Sequence, residues 1–218
     1  MHIFELLKAN KGTVSSALGK ELGAKALAGD CSIIDEASKY VCFELDNPHA
    51  KNIRAGAAKI LEVVAEKNPE LISPILEKIK PSLGVTEPQT RWMIISVFGQ
   101  CAKLDPEMSK SVMCHAKEFL TEDAGVCLSG AVFRYLGKVG ATSQSVALEV
   151  LPLLDDSMRS ASENEIDWIL EGFLSIISTL DRESLIIIKK NAELCLDAKK
   201  KSTQDRARKI IRKIGQSS

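Results

Sequence analysis

The sequence predicts an all-α fold, a solenoid of about five to six two-helix repeats. Segments with apolar residues at helical spacing follow one another along the chain, and none has the alternating pattern of a strand. Aromatic residues make up only 5% of the 218 residues, which favours helices packed through aliphatic side chains. Matching residues also recur about 37 positions apart, as expected for a repeat protein.

Pairs of matching residues set the repeat period. Arg54 and Arg91 lie 37 residues apart, and so do two Pro-Glu dipeptides. Trp92 and Trp168 lie 76 residues apart, which is two periods of 38. Such a period accommodates two helices, A and B, joined by a short polar turn. We therefore predict a single repeat domain over residues 1–218.

The B helix of repeat two, within residues 46–67, is the best-defined element. Pro48 ends the preceding helix because it lacks a backbone N–H and restricts the residue before it. One face of the following helix is apolar and is expected to be buried, through Ile53, Ala57, Ile60, Leu61 and Val64. The opposite side is expected to carry Arg54, Lys59, Glu62 and Glu66.

The same periodicity assigns the other repeats. Repeat one is a degenerate pair within residues 1–30, with helices over 2–9 and 13–28. Ser32 and Asp35 form a capping signal at the start of helix A of repeat two. The remaining predicted helices are A 32–45, A 69–83, B 89–103, A 106–120, B 126–139, A 143–156, B 165–180, A 182–198 and B 204–214. The basic helix 204–214 is expected to cap the solenoid.

The start of the B helices resembles that of HEAT repeats. Residues 52–58 read Asn-Ile-Arg-Ala-Gly-Ala-Ala, and residues 90–92 (Thr-Arg-Trp) and 205–207 (Asp-Arg-Ala) are weaker versions. Repeats four and five depart from the pattern, with Leu128 and Asp167 near the arginine position. The resemblance implies a right-handed α–α superhelix of HEAT-like repeats, with the B helices on the concave face.

The first candidate binding site centres on two tryptophans at matching B-helix positions, with Gly130 equivalent to both. One and two turns along the same faces the residues are small or polar. They are Ser96, Gly99, Arg134, Gly137, Gly172 and Ser175. This predicts a groove with indole walls and a glycine and serine floor, suited to a base, an aromatic side chain or a cation. The alternative is ordinary packing of both indoles on neighbouring helices. The expected binding residues are Trp92, Arg134, Trp168, Arg91, Ser96 and Glu171.

Two tryptophans on B helices, in a chain of this length, also resemble the HEAT-like alkylpurine DNA glycosylases. That resemblance implies a catalytic aspartate one turn after the first tryptophan, where this chain has Ser96. Asp167, beside Trp168, does not stand where the pattern places it. A carboxylate is needed to stabilise the positive charge that develops as the base leaves, so we expect no glycosylase activity.

The second candidate site is the basic C-terminal segment. From residue 199 onward the chain has eight positively charged side chains and only one acidic side chain, Asp205, although the whole chain has no net charge. Possible contacts to phosphates or to an acidic partner are Arg206, Arg208, Lys209, Arg212 and Lys213. The alternative is a solvated outer face whose inward stripe is Ala207, Ile210, Ile211 and Ile214, attracted by the acidic B helix of repeat five.

Several classes of function are excluded by what the sequence lacks. The three histidines are too few and too scattered for a metal cluster, and no phosphate-binding loop or nucleophile elbow is evident. No apolar run is long enough to span a bilayer, and the first eleven residues do not read as a signal peptide. The six cysteines lack metal-site spacing, and most lie on predicted apolar stripes, which indicates buried free thiols in the cytoplasm.

The sequence therefore predicts a cytoplasmic, non-enzymatic scaffold without cofactor or metal. We expect it to bind a protein or peptide on its B-helix face, since an acidic segment on that face suits a peptide better than nucleic acid. The alternative is a nucleic-acid-binding protein related to the HEAT-like glycosylases, without glycosylase activity.

Overall fold

The computed structural model describes residues 3–10, 17–122 and 124–216, which form α-helices joined by turns and short 3-10 segments. The helices, in chain order, are α1 (Ile3–Ala9), α2 (Ala17–Leu27), α3 (Ser32–Tyr40), α4 (Lys51–Lys67), α5 (Leu76–Ile79), α6 (Pro88–Cys101), α7 (Pro106–Lys110), α8 (Met113–Thr121), α9 (Val126–Gly140), α10 (Gln144–Met158), α11 (Glu163–Ile176), α12 (Arg182–Glu193) and α13 (Lys201–Gln216). Among these residues there is no strand. None of the helices described is both long enough and apolar enough to cross a membrane.

The chain divides into two compact units, and the division falls within α9. They are Met1–Leu128, here called the N-terminal unit, and Ser129–Ser218, the C-terminal unit. The prediction of a single repeat domain over residues 1–218 stays a prediction.

Helix α4 is the centre of the N-terminal unit. It contacts α1, α2, α3 and α6, so its neighbours bury most of its surface. The predicted stripe is confirmed, because all five of its apolar residues are buried. An amphipathic helix of this kind gains stability by packing its apolar face against helices on several sides.

Arg54 is the exception on α4, and its predicted position on the solvent side is wrong. Its side chain is only 1% exposed, and it forms an ion pair with Glu87 of the next A–B turn. Its Nη1 also donates to the carbonyl oxygens of Phe43, Glu44 and Asn47. Position on the helix surface alone does not decide exposure when a folded turn surrounds a charged side chain with acceptors.

Helix α3 is shorter than the predicted helix 32–45, and it is not capped as predicted. It ends at Tyr40, and Glu44 has a positive φ of 42°, which is incompatible with a continuing helix. The carbonyl oxygen of Glu44 instead accepts from Arg54. The N-cap position is Cys31, without a side-chain cap, and the Ser32 hydroxyl donates to the Asp30 carboxylate.

The A helices of repeats three and four are broken, although each was predicted as one helix. In repeat three, α5 is flanked by 3-10 segments over Pro69–Leu71, Ser73–Ile75 and Lys80–Gly84. Pro74 and Pro81 fall in these segments, and proline cannot donate the backbone hydrogen bond of a continuous helix. In repeat four, α7 and α8 are separated at Ser111, whose hydroxyl donates to the carbonyl oxygen of Met108.

In the C-terminal unit, α10 contacts α11 and α12, and α13 contacts α11 and α12. Helix α11 begins with a capping box in which Ser162 and Glu165 satisfy each other's backbone donors. Helix α13 buries Thr203, Ala207, Ile210 and Ile214, whereas Ile211, predicted to face inward with them, is only half-buried.

The cysteines are less buried than predicted. All six are free thiols, but only Cys101 and Cys195 are buried, and Cys42 is intermediate. The other three, Cys31, Cys114 and Cys127, are exposed. They lie at positions flanking the apolar stripes, where helical spacing alone does not decide burial.

Candidate functional site

Trp168 lies on α11 directly above Gly130 of α9, and its side chain is half-buried. A Cβ atom at Gly130 would lie 2.4 Å from the indole atom Cε3 and 2.6 Å from Cζ3. No side chain larger than hydrogen fits there, so the glycine is what lets the indole lie flat against the neighbouring helix. The predicted correspondence between positions 130 and 168 is therefore a direct contact.

Arg134 of the same helix also contacts the indole. It lies one turn after Gly130 on α9, and its guanidinium carbon is 5.4 Å from the centre of the Trp168 ring, within the range of a cation–π interaction. Its Nε is 3.4 Å from the Glu171 carboxylate, one turn after Trp168. The Arg134 side chain remains 47% exposed, so the indole, the guanidinium and the carboxylate reach the surface together.

The acidic side of this cluster is tied to α13. Arg206 lies 2.8 Å from Asp167 and 4.0 Å from Glu171, so Glu171 stands between two arginines. The Asp167 carboxylate also accepts from the hydroxyls of Ser202 and Thr203. Burial acts to raise the pKa of Asp167, but these hydroxyls and Arg206 together hold it below its ordinary value.

The glycines predicted to form a groove floor serve a different purpose. A Cβ atom at Gly137 of α9 would lie only 2.7 Å from the Cα atom of Gly172 on α11. The two helices therefore meet backbone to backbone, and both glycines are buried. The prediction that Gly137 and Gly172 line an open floor is wrong, because the close contact between the helices occupies that space.

Trp92, Arg91 and Ser96 lie on α6 in the N-terminal unit, whereas Trp168 and Arg134 lie in the C-terminal unit. All three are half-buried, and the Ser96 hydroxyl donates to the Trp92 carbonyl oxygen at 2.8 Å. The groove walled by both indoles stays a prediction.

Arg91 is held by its own unit. Its Nε donates to the Val85 carbonyl oxygen, and its Nη1 donates to Glu122, both at 2.5 Å. Its guanidinium carbon lies 4.9 Å from the centre of the Phe119 ring. These contacts leave the Arg91 side chain only 14% exposed, which limits what it can offer to a partner.

Arg54 and Arg91 make equivalent contacts one repeat apart. Each begins a B helix, bonds to carbonyl oxygens of the preceding turn and pairs with an acid before the next B helix, Glu87 or Glu122. The acids are residues that sequence analysis missed. The signal was present, because acidic residues stand 33 and 31 positions after the two arginines.

The five basic residues of α13 that were predicted as contacts differ in their surroundings. Arg206 is in the ion pairs described above, and the Lys213 ammonium donates to the Leu174 carbonyl oxygen at 3.2 Å. Arg208 is exposed and lies 3.4 Å from Asp205. Lys209 and Arg212 are exposed. Arg206 and Lys213 thus dock the helix onto α11, and the other three, like Lys201 at the start of the helix, present positive charge to solvent.

The carboxylates of α11 nearest Trp168 are both bound to arginines, and the low pKa of Asp167 does not suit a proton donor. Within the described residues, no group of three or more histidine, cysteine or acidic side chains is placed to hold a metal ion. The cluster around Trp168 brings an aromatic face, a guanidinium and a carboxylate together at the surface.

No protein-family model matches the chain, and no curated protein matches it. Among solved structures it is similar to the designed armadillo repeat protein YIII(Dq)4CqI, with a TM-score of 0.60 and 14% sequence identity. The match covers 92% of this chain and 96% of that chain. At this identity the likeness shows the fold alone. With the helices described above, it confirms the predicted all-α solenoid of helical repeats.

Proposed function

We propose that this protein is a non-enzymatic interaction scaffold that binds a protein or peptide on its B-helix surface. The Trp168 cluster, defined as Trp168, Arg134 and Glu171 above Gly130, is the proposed anchor in the C-terminal unit. Arg91, Trp92 and Ser96 are proposed as secondary contacts in the N-terminal unit.

One observation carries this proposal. The Trp168 indole packs on Gly130 and contacts the Arg134 guanidinium, yet it remains partly accessible to solvent. Tryptophan and arginine are the residue types that most often dominate interface energies, and a preorganised pair loses little side-chain entropy on binding. The adjacent Glu171 adds an acceptor for a partner's donor. A peptide that places an apolar or cationic side chain on the indole fits this chemistry.

We further propose that the repeats are of the HEAT type and that the protein works in the cytoplasm. The arginine that begins α4 and α6 at a period of 37 residues supports the first proposal. The free state of all six thiols supports the second, because such thiols persist in reducing compartments.

The test is affinity capture from native lysate at low and physiological salt, with and without nuclease. The wild-type chain should retain a protein partner through both treatments, and the Trp92→Ala/Trp168→Ala variant should lose it while its circular dichroism stays native. Leu194→Ala is the matched control, because Leu194, at 76%, is the most exposed large apolar residue that the structure describes and is not part of the cluster. Equal recovery by the double variant and the wild type would refute the proposal.

Gly130→Ala is a sharper variant, because it displaces the indole without removing it. The added Cβ would meet the ring at 2.4 Å, so the ring must move. We expect lost capture together with a shifted tryptophan fluorescence maximum. Lost capture with an unchanged fluorescence maximum would show that the variant loses its partner for a reason other than displacement of the indole.

Nucleic-acid binding is the second candidate function, and the exposed Arg208, Lys209 and Arg212 favour it. The proposed relation to HEAT-like DNA glycosylases would then concern binding and not base removal. Such binding should weaken steeply with salt and disappear when the charges of α13 are neutralised. An affinity for an oligonucleotide that does not change with salt concentration would exclude this second function.

A further inference from the structure

A groove of about 400 Å³ separates α12 from α13 in the C-terminal unit, at a distance from the Trp168 cluster along the helix surface. Leu185 and Ile186 of α12 form one apolar wall, and Ile211 and Ile214 of α13 form the other. The volume lies within the range of pockets that enclose small ligands or the anchoring side chains of a peptide.

The floor and the edge of this groove differ in exposure. Leu185 and Ile214 are buried and close the bottom. Ile186 is 66% exposed, and Ile211 is half-buried. Burial of Ile186 and Ile211 by a partner would remove apolar surface from water without rearranging the helices, which favours association.

The rim of the groove is basic on both sides. Arg182 and Lys189 line it on α12. On α13, Arg208 precedes Ile211 by three residues, so the two lie on one side of the helix, and Arg212 follows Arg208 by one turn.

Three acids stand near this rim. Glu183, three residues before Ile186 on α12, is exposed, and the other two are in exposed ion pairs. Glu193 lies 3.8 Å from Lys189, and Asp205 lies 3.4 Å from Arg208, and such exposed pairs are weak and easily exchanged for other partners. The local excess of positive charge contrasts with a chain of zero net charge.

We propose that this groove binds an acidic amphipathic helix of a partner protein. Aliphatic side chains spaced three and four residues apart would enter the groove over Ile186 and Ile211, and flanking carboxylates would pair with Arg208 and Arg212. Helices commonly dock in apolar grooves through such anchors. The charge of the rim selects an acidic helix over a basic one. This binding surface is separate from the one proposed around Trp168.

The test is fluorescence anisotropy with a labelled, hydrocarbon-stapled peptide of about 14 residues, roughly four helical turns. Leucines occupy one face and glutamates the rest. A matched peptide carries lysine at every glutamate position. The staple removes most of the entropy cost of forming the helix, so weak binding cannot be ascribed to an unfolded peptide. The full chain should bind the acidic peptide at least about tenfold more tightly than the basic one at physiological salt.

Variants then locate the binding surface. Ile186→Glu should weaken binding about tenfold or more, because it places a charge on the apolar wall and repels the peptide. Leu194→Glu is the matched control, because Leu194 is even more exposed, at 76%, and lies outside this groove, and it should change the affinity by less than about twofold. Arg208→Glu with Arg212→Glu should weaken binding and flatten its salt dependence.

Three results would overturn the proposal. The first is equal affinity for the acidic and basic peptides. The second is unchanged affinity in the Ile186→Glu variant. The third is an oligonucleotide that binds more tightly than the acidic peptide and depends on Arg208 and Arg212 but not on Ile186, because that pattern identifies phosphate recognition. Loss of the Trp168 cluster should leave peptide binding intact, which separates this proposal from the one above.

Discussion

Replacing Arg54 by leucine should leave the Glu87 carboxylate buried without its charged partner. In the native chain Nε and Nη2 of Arg54 donate to the two carboxylate oxygens at 2.7 and 2.9 Å. The Glu87 residue is 7% exposed, so little water can replace the guanidinium. Three backbone carbonyl oxygens lose the guanidinium donor in the same variant, although those of Glu44 and Asn47 keep a backbone N–H.

We expect the free energy of unfolding to fall by about 3–5 kcal/mol, the usual cost of removing one partner of a buried ion pair. The lost carbonyl contacts are not added to this figure, because one guanidinium makes all of them and the effects are not independent. Glu87→Gln is the matched control. It keeps the shape and the oxygen that accepts from Arg54 Nε, but it removes the charge and places an NH2 group against Arg54 Nη2. Three backbone carbonyl oxygens still accept from the guanidinium, so a smaller loss of about 1–3 kcal/mol is expected.

The pH dependence follows from the pKa of Glu87. Burial acts to raise this pKa, but hydrogen bonds from Arg54 and Thr90 hold it below its ordinary value of 4.5. The native pair therefore contributes stability above pH 4.5, and this contribution is lost as the pH falls through the lowered pKa. Without Arg54, burial should raise the pKa of Glu87. Protonation at acid pH then removes the cost of a buried, unpaired carboxylate in the variant. The stability difference between the two proteins should then shrink as the pH falls.

The assay is urea unfolding followed by circular dichroism, at several pH values between about 7 and 4, with the slope of the transition checked for two-state behaviour. A loss below about 1 kcal/mol at neutral pH would refute the assignment of a buried pair. A large loss that stays constant across this pH range would refute the role of the Glu87 charge.

Three further changes test other contacts. Arg91→Leu should cost only about 1–2 kcal/mol in urea unfolding, because its acidic partner is 41% exposed. Gly137→Ala should lower the unfolding free energy by about 1–3 kcal/mol or more, because its Cβ would meet the Cα of Gly172 at 2.7 Å, whereas Gly215→Ala, with open space around it, should not destabilise. Thermal unfolding of both variants measures this, and equal midpoints would contradict it. Asp167→Asn should cost about 1–3 kcal/mol at neutral pH, and the difference should vanish as the pH falls through the lowered pKa of Asp167, below 3.8.

The B helices were predicted well and the A helices less well, for a physical reason. Helix α4, within the predicted stretch 46–67, is long and has a strong apolar stripe that periodicity detects. The A segments of repeats three and four satisfy the same periodicity, but Pro74 and Pro81 lack a backbone donor in repeat three, and the helix of repeat four is broken at Ser111. Periodicity reports which face is apolar and does not report whether every backbone donor is available.

The candidate site was predicted in part. The residues Trp168, Arg134 and Glu171 do lie together, because positions three and four apart on one helix meet the equivalent positions of its neighbour. The purpose of the glycines was not predictable from one helix alone. Gly130 makes room for an indole and Gly137 makes room for a backbone, and which of these occurs depends on how closely two helices approach.

The pair between Asp167 and Arg206 restricts how the repeats can be rearranged. In repeats two and three the position near the start of helix B carries Arg54 or Arg91, and in repeat five it carries Asp167. A duplication or recombination that set the last helix pair directly after repeat three would bring Arg206 to a helix with arginine at the matching position. The charge at this one position therefore differs between repeats and limits which repeats can be neighbours. Engineered lengthening of the array should insert copies of repeat three and keep the last helix pair directly after repeat five.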